Sequence, residues 1–173
     1  FVPSKLTAQD GMDVNLKSFE KITIDGNVAA TLRGSISADT LIGDDGADII
    51  EGRAGADTLT GGNRQDTFIF SSGDTGITEA TADTITDFVS GNDILDLTAV
   101  TNGNIGTYVE ANGTANTFTK FTTNATASFT GSAVDIYVEY NLNGSGNTYL
   151  IVDENSSGTV SNGDTLIILS GLS

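Results

Sequence analysis

The sequence contains no cysteine, no histidine and no tryptophan. It has a single proline and only seven basic residues among 173. Without cysteine there are no disulfides and no thiol chemistry, and without histidine there is no Cys/His zinc site, no HExxH motif and no triad built on imidazole. A lipase-type GxSxG is absent as well, so the chain is not expected to be an enzyme. Beyond Arg64 the only base is Lys120, which leaves no basic face for nucleic acid. No apolar run reaches membrane-spanning length, so membrane insertion is not expected. A protein without disulfides that works outside the cell needs another staple, and a metal ion is the common one.

What is abundant is acid and glycine. Twenty-three Asp and Glu give a net charge of −16, and there are 21 glycines. Acidity can simply keep a chain soluble, but here the acids are patterned, which points to a metal cation as the counter-charge. The stretches IYVEY, TYLIV and LIIL are apolar enough for strands, which argues against general disorder. The chain begins at Phe1, as expected of a fragment or processed product.

Three zones divide the chain. Residues 1–33 are expected to form leading β rungs, with Phe19, Ile22 and Ile24 in strands and Asp25-Gly26-Asn27 as a turn. Residues 34–70 carry a nine-residue repeat. Residues 71–173 form a C-terminal β region in which aromatics return. There Val134, Ile136, Val138, Tyr140 and Leu142 alternate with polar or amphipathic neighbours, the pattern of a strand with one buried face. Residues 143–147 read as a hairpin loop, 148–152 as the return strand and 165–169 as a third strand. The Thr- and Asn-rich stretch 101–133 is expected to hold short strands and loops, and no helix-period pattern is apparent.

Four consecutive blocks share one pattern: 34–42, 43–51, 52–60 and 61–69. The sixth position is Asp39, Asp48, Asp57 and Asp66, and the eighth is Leu41, Ile50, Leu59 and Phe68. Block 25–33 keeps Leu32 but has Ala30 at its sixth position. Six glycine-rich residues suit a turn, because glycine adopts φ > 0 without penalty. Three residues with one apolar centre suit a very short strand. Two blocks then complete one coil, and blocks two apart stack at roughly 4.8 Å. This places Asp39 above Asp57 and Asp48 above Asp66. Two carboxylates at such a distance repel by about 1 kcal/mol in water and by several at an effective dielectric near 20. A hard divalent cation relieves that repulsion. Ca²⁺ accepts carboxylates and carbonyls at flexible coordination, whereas Mg²⁺ demands a tight octahedron and keeps its water.

The tandem blocks resemble the GGxGxDxUx nonapeptide of the RTX (repeat-in-toxin) calcium-binding parallel β-rolls. Blocks 43–51 and 52–60 match through Gly46, Asp48, Ile50 and Gly55, Asp57, Leu59, while Ser37 and Arg64 replace the fourth-position glycine in the outer blocks. The resemblance implies an all-β fold, a right-handed parallel β-roll continuing into a β-sandwich or meander, and several bound Ca²⁺ ions. It implies one site from Ser35, Ser37, Asp39, Gly52, Ala54 and Asp57, and another from Asp44, Gly46, Asp48, Gly61, Asn63 and Asp66. Partial sites would use the carbonyls of Arg53, Gly55, Gly62 and Arg64 with acids of the following segment. That segment contains ADTITDF, SGND and ILDL and resembles the region after the repeats in serralysin-like proteins. There Asp74, Asp83 and Asp93 occupy positions similar to capping calcium ligands, or else merely form turns. The loop 153–164 has Asp153, Asn155, Ser157 and Asp164 at EF-hand-like spacing but strand-like flanks, so it reads either as a calcium loop or as a polar hairpin connection.

The Thr/Ser/Asn/Gly-rich composition and FEKITIDGNVAATLRGS resemble bacterial S-layer proteins, and the apolar stretch Leu166–Leu169 after Asp164 resembles a type I secretion signal. These resemblances imply the calcium-binding C-terminal module of a type I-secreted S-layer or adhesin-like structural protein, located outside the cell or on its surface. Its implied partners are calcium, the type I secretion apparatus, and either copies of itself or cell-surface glycan or lipopolysaccharide through the full-length protein. The alternative is the C-terminal folding domain of a secreted metalloprotease or lipase.

Overall fold

The structure, a computed structural model, describes residues 7–8, 13–15, 21–24, 27–101, 105–112, 115, 117–129, 134–140 and 142–172. The expected strand position Phe19 and the expected turn residues Asp25 and Gly26 lie outside the described residues. In chain order the elements are β1 (Thr7–Ala8), β2 (Asp13–Asn15), β3 (Lys21–Ile24), β4 (Thr31–Arg33), β5 (Thr40–Ile42), β6 (Ile49–Glu51), β7 (Thr58–Thr60), β8 (Thr67–Ile69), β9 (Asp83–Ile85), β10 (Ile94–Asp96), α1 (Thr98–Thr101), β11 (Ile105–Asn112), α2 (Phe118–Ser128), β12 (Val134–Tyr140), a 3-10 turn (Leu142–Gly144), β13 (Thr148–Asp153) and β14 (Thr165–Leu169).

The first ten strands alternate between two sheets. Odd strands stack in the order β1-β3-β5-β7-β9, and even strands in the order β10-β8-β6-β4-β2, all in parallel. Leu41 lies beside Leu59, and Ile50 lies between Leu32 and Phe68, so blocks two apart are neighbours. In each three-residue repeat strand only the central side chain is fully buried. Leu32, Leu41, Ile50, Leu59 and Phe68 are fully buried between the sheets, and their flanking threonines and charged residues are mostly half-exposed. This is the expected parallel β-roll.

The roll continues past the fourth block. Ile85 of β9 joins Leu59, and Leu95 of β10 joins Phe68. The step is now 26 or 27 residues rather than 18, because the chain makes a loop excursion before each new rung. β14 then pairs in parallel with β9, and β13 and β12 follow antiparallel, with β11 on the edge. The expected meander is present and extends the odd-strand sheet of the roll.

Two expectations about this region are corrected. Residues 118–128 form a helix. Thr117 caps it by accepting the Lys120 N–H at 3.1 Å, and Phe118, Phe121 and Ala125 fall on one face facing Tyr137, Tyr149 and Ile151. The hydroxyls of Thr122, Thr123 and Ser128 bond back to carbonyls one turn earlier, so these weak helix formers are satisfied within the helix. β12, in turn, is buried on both faces. Ile136 and Val138 extend the roll core, while Asp135, Tyr137 and Glu139 face the other way and are equally buried. The cover on that side is helical; among the described residues no second sheet lies there. β13 and β14 are buried throughout, as continuous apolar runs in a covered sheet tend to be.

Candidate metal centre

The turns between repeat strands place the aspartates. At the second position of each later block the chain turns left-handed: Asp44 has φ 83°, Arg53 68° and Gly62 101°. For Asp44 and Arg53 this costs about 1–2 kcal/mol, which the surrounding rungs must offset. The sixth-position aspartates then reach back across the stack. Asp57 Oδ1 accepts the Asp39 N–H at 2.7 Å, and Asp66 Oδ1 accepts the Asp48 N–H at 2.8 Å. Asp48 Oδ1 does the same for Ala30 at 2.7 Å. The post-repeat acids extend both columns. Asp83 Oδ1 accepts from Asp57 at 2.9 Å and Asp93 Oδ1 from Asp66 at 3.1 Å.

One oxygen of each interior carboxylate is thereby used and the other is not. Oδ2 of Asp48, Asp57, Asp66 and Asp83 is buried and has no hydrogen-bond partner. Such atoms are costly in a folded protein. Glycines let the backbone come close to them, with no side chain in between. A Cβ on Gly43 would stand 2.3 Å from Asp48 Oδ2 and 2.6 Å from the Gly61 carbonyl. One on Gly52 or Gly61 would stand 2.4 or 2.3 Å from Oδ2 of Asp57 or Asp66. Buried carboxylate oxygens and backbone carbonyls facing a space without side chains suit a hard, oxygen-seeking cation. Among the described residues no three carboxylates converge closely enough to hold an ion by side chains alone, so carbonyls would have to supply the remaining ligands.

The electrostatics agree. Burial first, and neighbouring carboxylates after it, push Asp57 up to about 7, Asp66 to about 6 and Asp83 to about 8. Asp48 is also raised, chiefly by burial, with Asp44 adding to it. Without a cation, the roll favours protonated acids at these positions.

Of the first expected ligand set, the structure brings Asp39 Oδ2 and the Gly52 carbonyl together beside Gly34. Ser37 turns its carbonyl toward Gly55, and Asp57 reaches Asp39 through the backbone bond above; Ala54 lies in the same turn as Gly52. Of the second set, Asp48 and Gly61 meet beside Gly43, Asp66 is on the Asp48 N–H, and Asn63 donates its N–H to the Asp44 carbonyl at 2.8 Å. Gly46 faces the preceding rung through the Val28 carbonyl. Among the residues of the expected partial sites, Gly55 donates its N–H to the Asp74 carbonyl at 3.2 Å. The Arg64 carbonyl accepts from the Asn92 side-chain amide. The Gly62 N–H goes to Asp87 Oδ2 at 2.8 Å, and Arg53 sends its guanidinium to the Gly34 carbonyl at 3.3 Å.

Asp74 Oδ2 accepts the Ser71 N–H at 2.7 Å, and its carboxylate is close enough to Asp57 and Asp83 to raise both. Asp93 Oδ2 accepts the Val89 N–H at 2.8 Å. In the 153–164 loop the acids are occupied. Asp153 takes the N–H groups of Ser157 and Gly158 at 3.0 and 2.7 Å, and Asp164 takes the Ser161 N–H at 2.6 Å. Asn155 donates its side-chain amide to Asp164 Oδ1 at 3.0 Å. Burial, with Asp153 contributing, lifts Asp164 to about 6.

Two residues that complete the ladder were not singled out as site residues by spacing. Asp87 accepts the N–H groups of Gly61 and Gly62 at 2.9 and 2.8 Å; its signal is the second acid of ADTITDF. Thr75 Oγ1 accepts the Asp83 N–H at 2.9 Å and donates to the Leu166 carbonyl at 2.7 Å. It ends the column on that side and ties it to β14, and a lone threonine in a loop carries no signal of such a role.

Comparison with known families finds the RTX calcium-binding nonapeptide repeat, four copies, over residues 31–68. No curated protein matches the chain. The chain therefore carries calcium-binding RTX repeats, and they coincide with β4 to β8 and the turns between them.

Proposed function

We propose that the chain is a calcium-stapled folding module of a type I-secreted surface protein, S-layer or adhesin-like, with no enzymatic activity of its own. The observation that carries this reading is the set of four buried, unpartnered Oδ2 atoms along two carboxylate columns. The roll core is one apolar residue per rung, too thin to offset stacked buried acids unaided. Calcium binding available only to the folded chain becomes folding free energy. A chain of this kind stays unfolded where calcium is scarce and folds where it is plentiful, which suits export before folding.

The stretch that resembles a type I signal supports the same order of events. Leu166–Leu169 belongs to β14, buried between β9 and β13, so an export apparatus could read it only in the unfolded chain. The partners under this reading are calcium, that apparatus and, through other parts of the full-length protein, copies of itself or cell-surface glycan or lipopolysaccharide. No helix among the described residues is long and apolar enough to cross a membrane.

A second reading rests on the post-repeat segment, whose motifs resemble those after the repeats in serralysin-like proteins and whose Asp83 and Asp93 continue the two carboxylate columns. The same module would serve as the folding domain of a secreted metalloprotease or lipase, and a catalytic motif upstream would favour that role. Far-UV circular dichroism in EDTA and then in millimolar Ca²⁺ tests the reading common to both. The expected result is a disordered spectrum that turns to β structure. An unchanged spectrum and melting temperature would overturn it.

A further inference from the structure

The first of the four repeat turns differs from the other three. In blocks 43–51, 52–60 and 61–69 the second residue is left-handed and the sixth-position Oδ2 has no partner. In block 34–42 the second residue is Ser35, which is not among the left-handed residues. Its N–H turns inward and donates to Asp39 Oδ2 at 2.6 Å, and its hydroxyl lies 2.9 Å from the same oxygen. The oxygen that is orphaned in Asp48, Asp57 and Asp66 is thus doubly satisfied in Asp39. Ser35 is itself buried, and its Oγ also accepts the Ser37 N–H at 3.2 Å, so the hydroxyl is fixed in place. On the same turn the Arg53 guanidinium donates to the Gly34 carbonyl at 3.3 Å, bringing a positive group to it.

We infer that Ser35 stands in for the cation in the first repeat turn, so that the pocket between Asp39 and the Gly52 carbonyl is closed to calcium and loading begins at Asp48. A serine at this position gives up a binding site and yields a rung that needs no metal. The physical reason is competition for one oxygen. Two donors, one of them a backbone N–H, already neutralise the demand of Asp39 Oδ2, and a cation would have to displace both and turn Ser35 into the left-handed region. Block 61–69 shows the alternative, because Gly62 at the same position has φ 101° and Asp66 Oδ2 is free.

This inference rests on the calcium reading of the later turns. It is tested by counting calcium bound per chain at saturation, by equilibrium dialysis and atomic emission, for the wild type and for Asp39→Asn, Asp48→Asn and Ser35→Gly. The expected result is that Asp39→Asn binds as many ions as the wild type, Asp48→Asn binds fewer, and Ser35→Gly binds one more. Loss of an ion in Asp39→Asn would overturn the closure of the first turn, and an unchanged count in Ser35→Gly would overturn the part given to Ser35. A wild-type chain that takes up no calcium would instead overturn the parent reading.

Discussion

Asp57 Oδ1 accepts the Asp39 N–H at 2.7 Å across 18 residues, while its Oδ2 is buried with no partner. One carboxylate therefore has two duties: fastening one rung to the next, and facing the space a cation would fill. Substitutions can separate them. Asp57→Ala removes both, and should cost about 1–3 kcal/mol even in EDTA because the Asp39 N–H is left unpaired. It should cost more in calcium, and in calcium more than Asp39→Ala, whose Oδ2 already has its partners in Ser35. Asp57→Asn can keep the backbone bond but removes the charge. It should stabilise the chain in EDTA, on the order of 1 kcal/mol from relieved repulsion, and destabilise it in calcium. Urea unfolding in both conditions reads the difference, and the same sign in both would refute the division.

The raised carboxylates set a pH dependence. A carboxyl held above its unfolded value favours the fold when protonated. Its contribution is complete below about 3.8 and is lost as pH rises through its folded value. For Asp66, Asp57 and Asp83 those values are about 6, 7 and 8. In EDTA the melting temperature should therefore fall from pH 5 to pH 8.5. Calcium requires the deprotonated form, so its affinity should rise over the same interval, with protons released on binding. Calorimetry in buffers of differing ionisation enthalpy counts those protons, and binding without proton release near pH 7 would contradict the assignment.

Gly43→Ala tests the space beside the ladder. Its Cβ would stand 2.3 Å from Asp48 Oδ2 and 2.6 Å from the Gly61 carbonyl, closer than real Cβ contacts, and both neighbours are held by the rungs. The variant should lose calcium and at least about 1–3 kcal/mol of stability. Gly73→Ala has open space around it but φ 82°. It should cost about 1–2 kcal/mol and leave calcium binding unchanged, as titration calorimetry would show.

Phe121→Ala probes the far side of the sheet. Phe121 is fully buried against Phe118, Tyr137 and Tyr149, with ring centroids 5.5 to 5.7 Å apart. The variant should lose about 3–5 kcal/mol without changing the number of calcium ions bound, since Phe121 packs in the cluster of Tyr137, Tyr149 and Ile151, apart from the core of the repeat strands.

The roll was legible because a nine-residue beat carries its own geometry. One apolar residue per block sets the strand, and two blocks per coil set which aspartates face each other, as Asp39 does Asp57 and Asp48 does Asp66. Asp83 and Asp93 could be singled out by their motifs, but not their place as next rungs, because the excursions before them break the period. Helix α2 was hidden by composition. Its core face is little more than Phe118, Phe121 and Ala125, and its threonines favour strands unless their hydroxyls can bond within the helix. With α2 unseen, the second buried face of β12 could not be read from alternation either. The 153–164 loop had cation-like spacing, but spacing does not say whether Asp153 and Asp164 face an ion or the loop's own N–H groups. The conformation of Ser35 belongs to the same class: its identity was visible, while the turn of its N–H onto Asp39 was not.

The most direct measurement is a crystal structure of the calcium-loaded protein with the anomalous signal of the metal. The account predicts a peak bonded to Asp48 Oδ2 and the Gly61 carbonyl beside Gly43, further peaks at Oδ2 of Asp57 and Asp66, and none at Asp39. A calcium-saturated crystal with no peak along the Asp48–Asp66 column would contradict it.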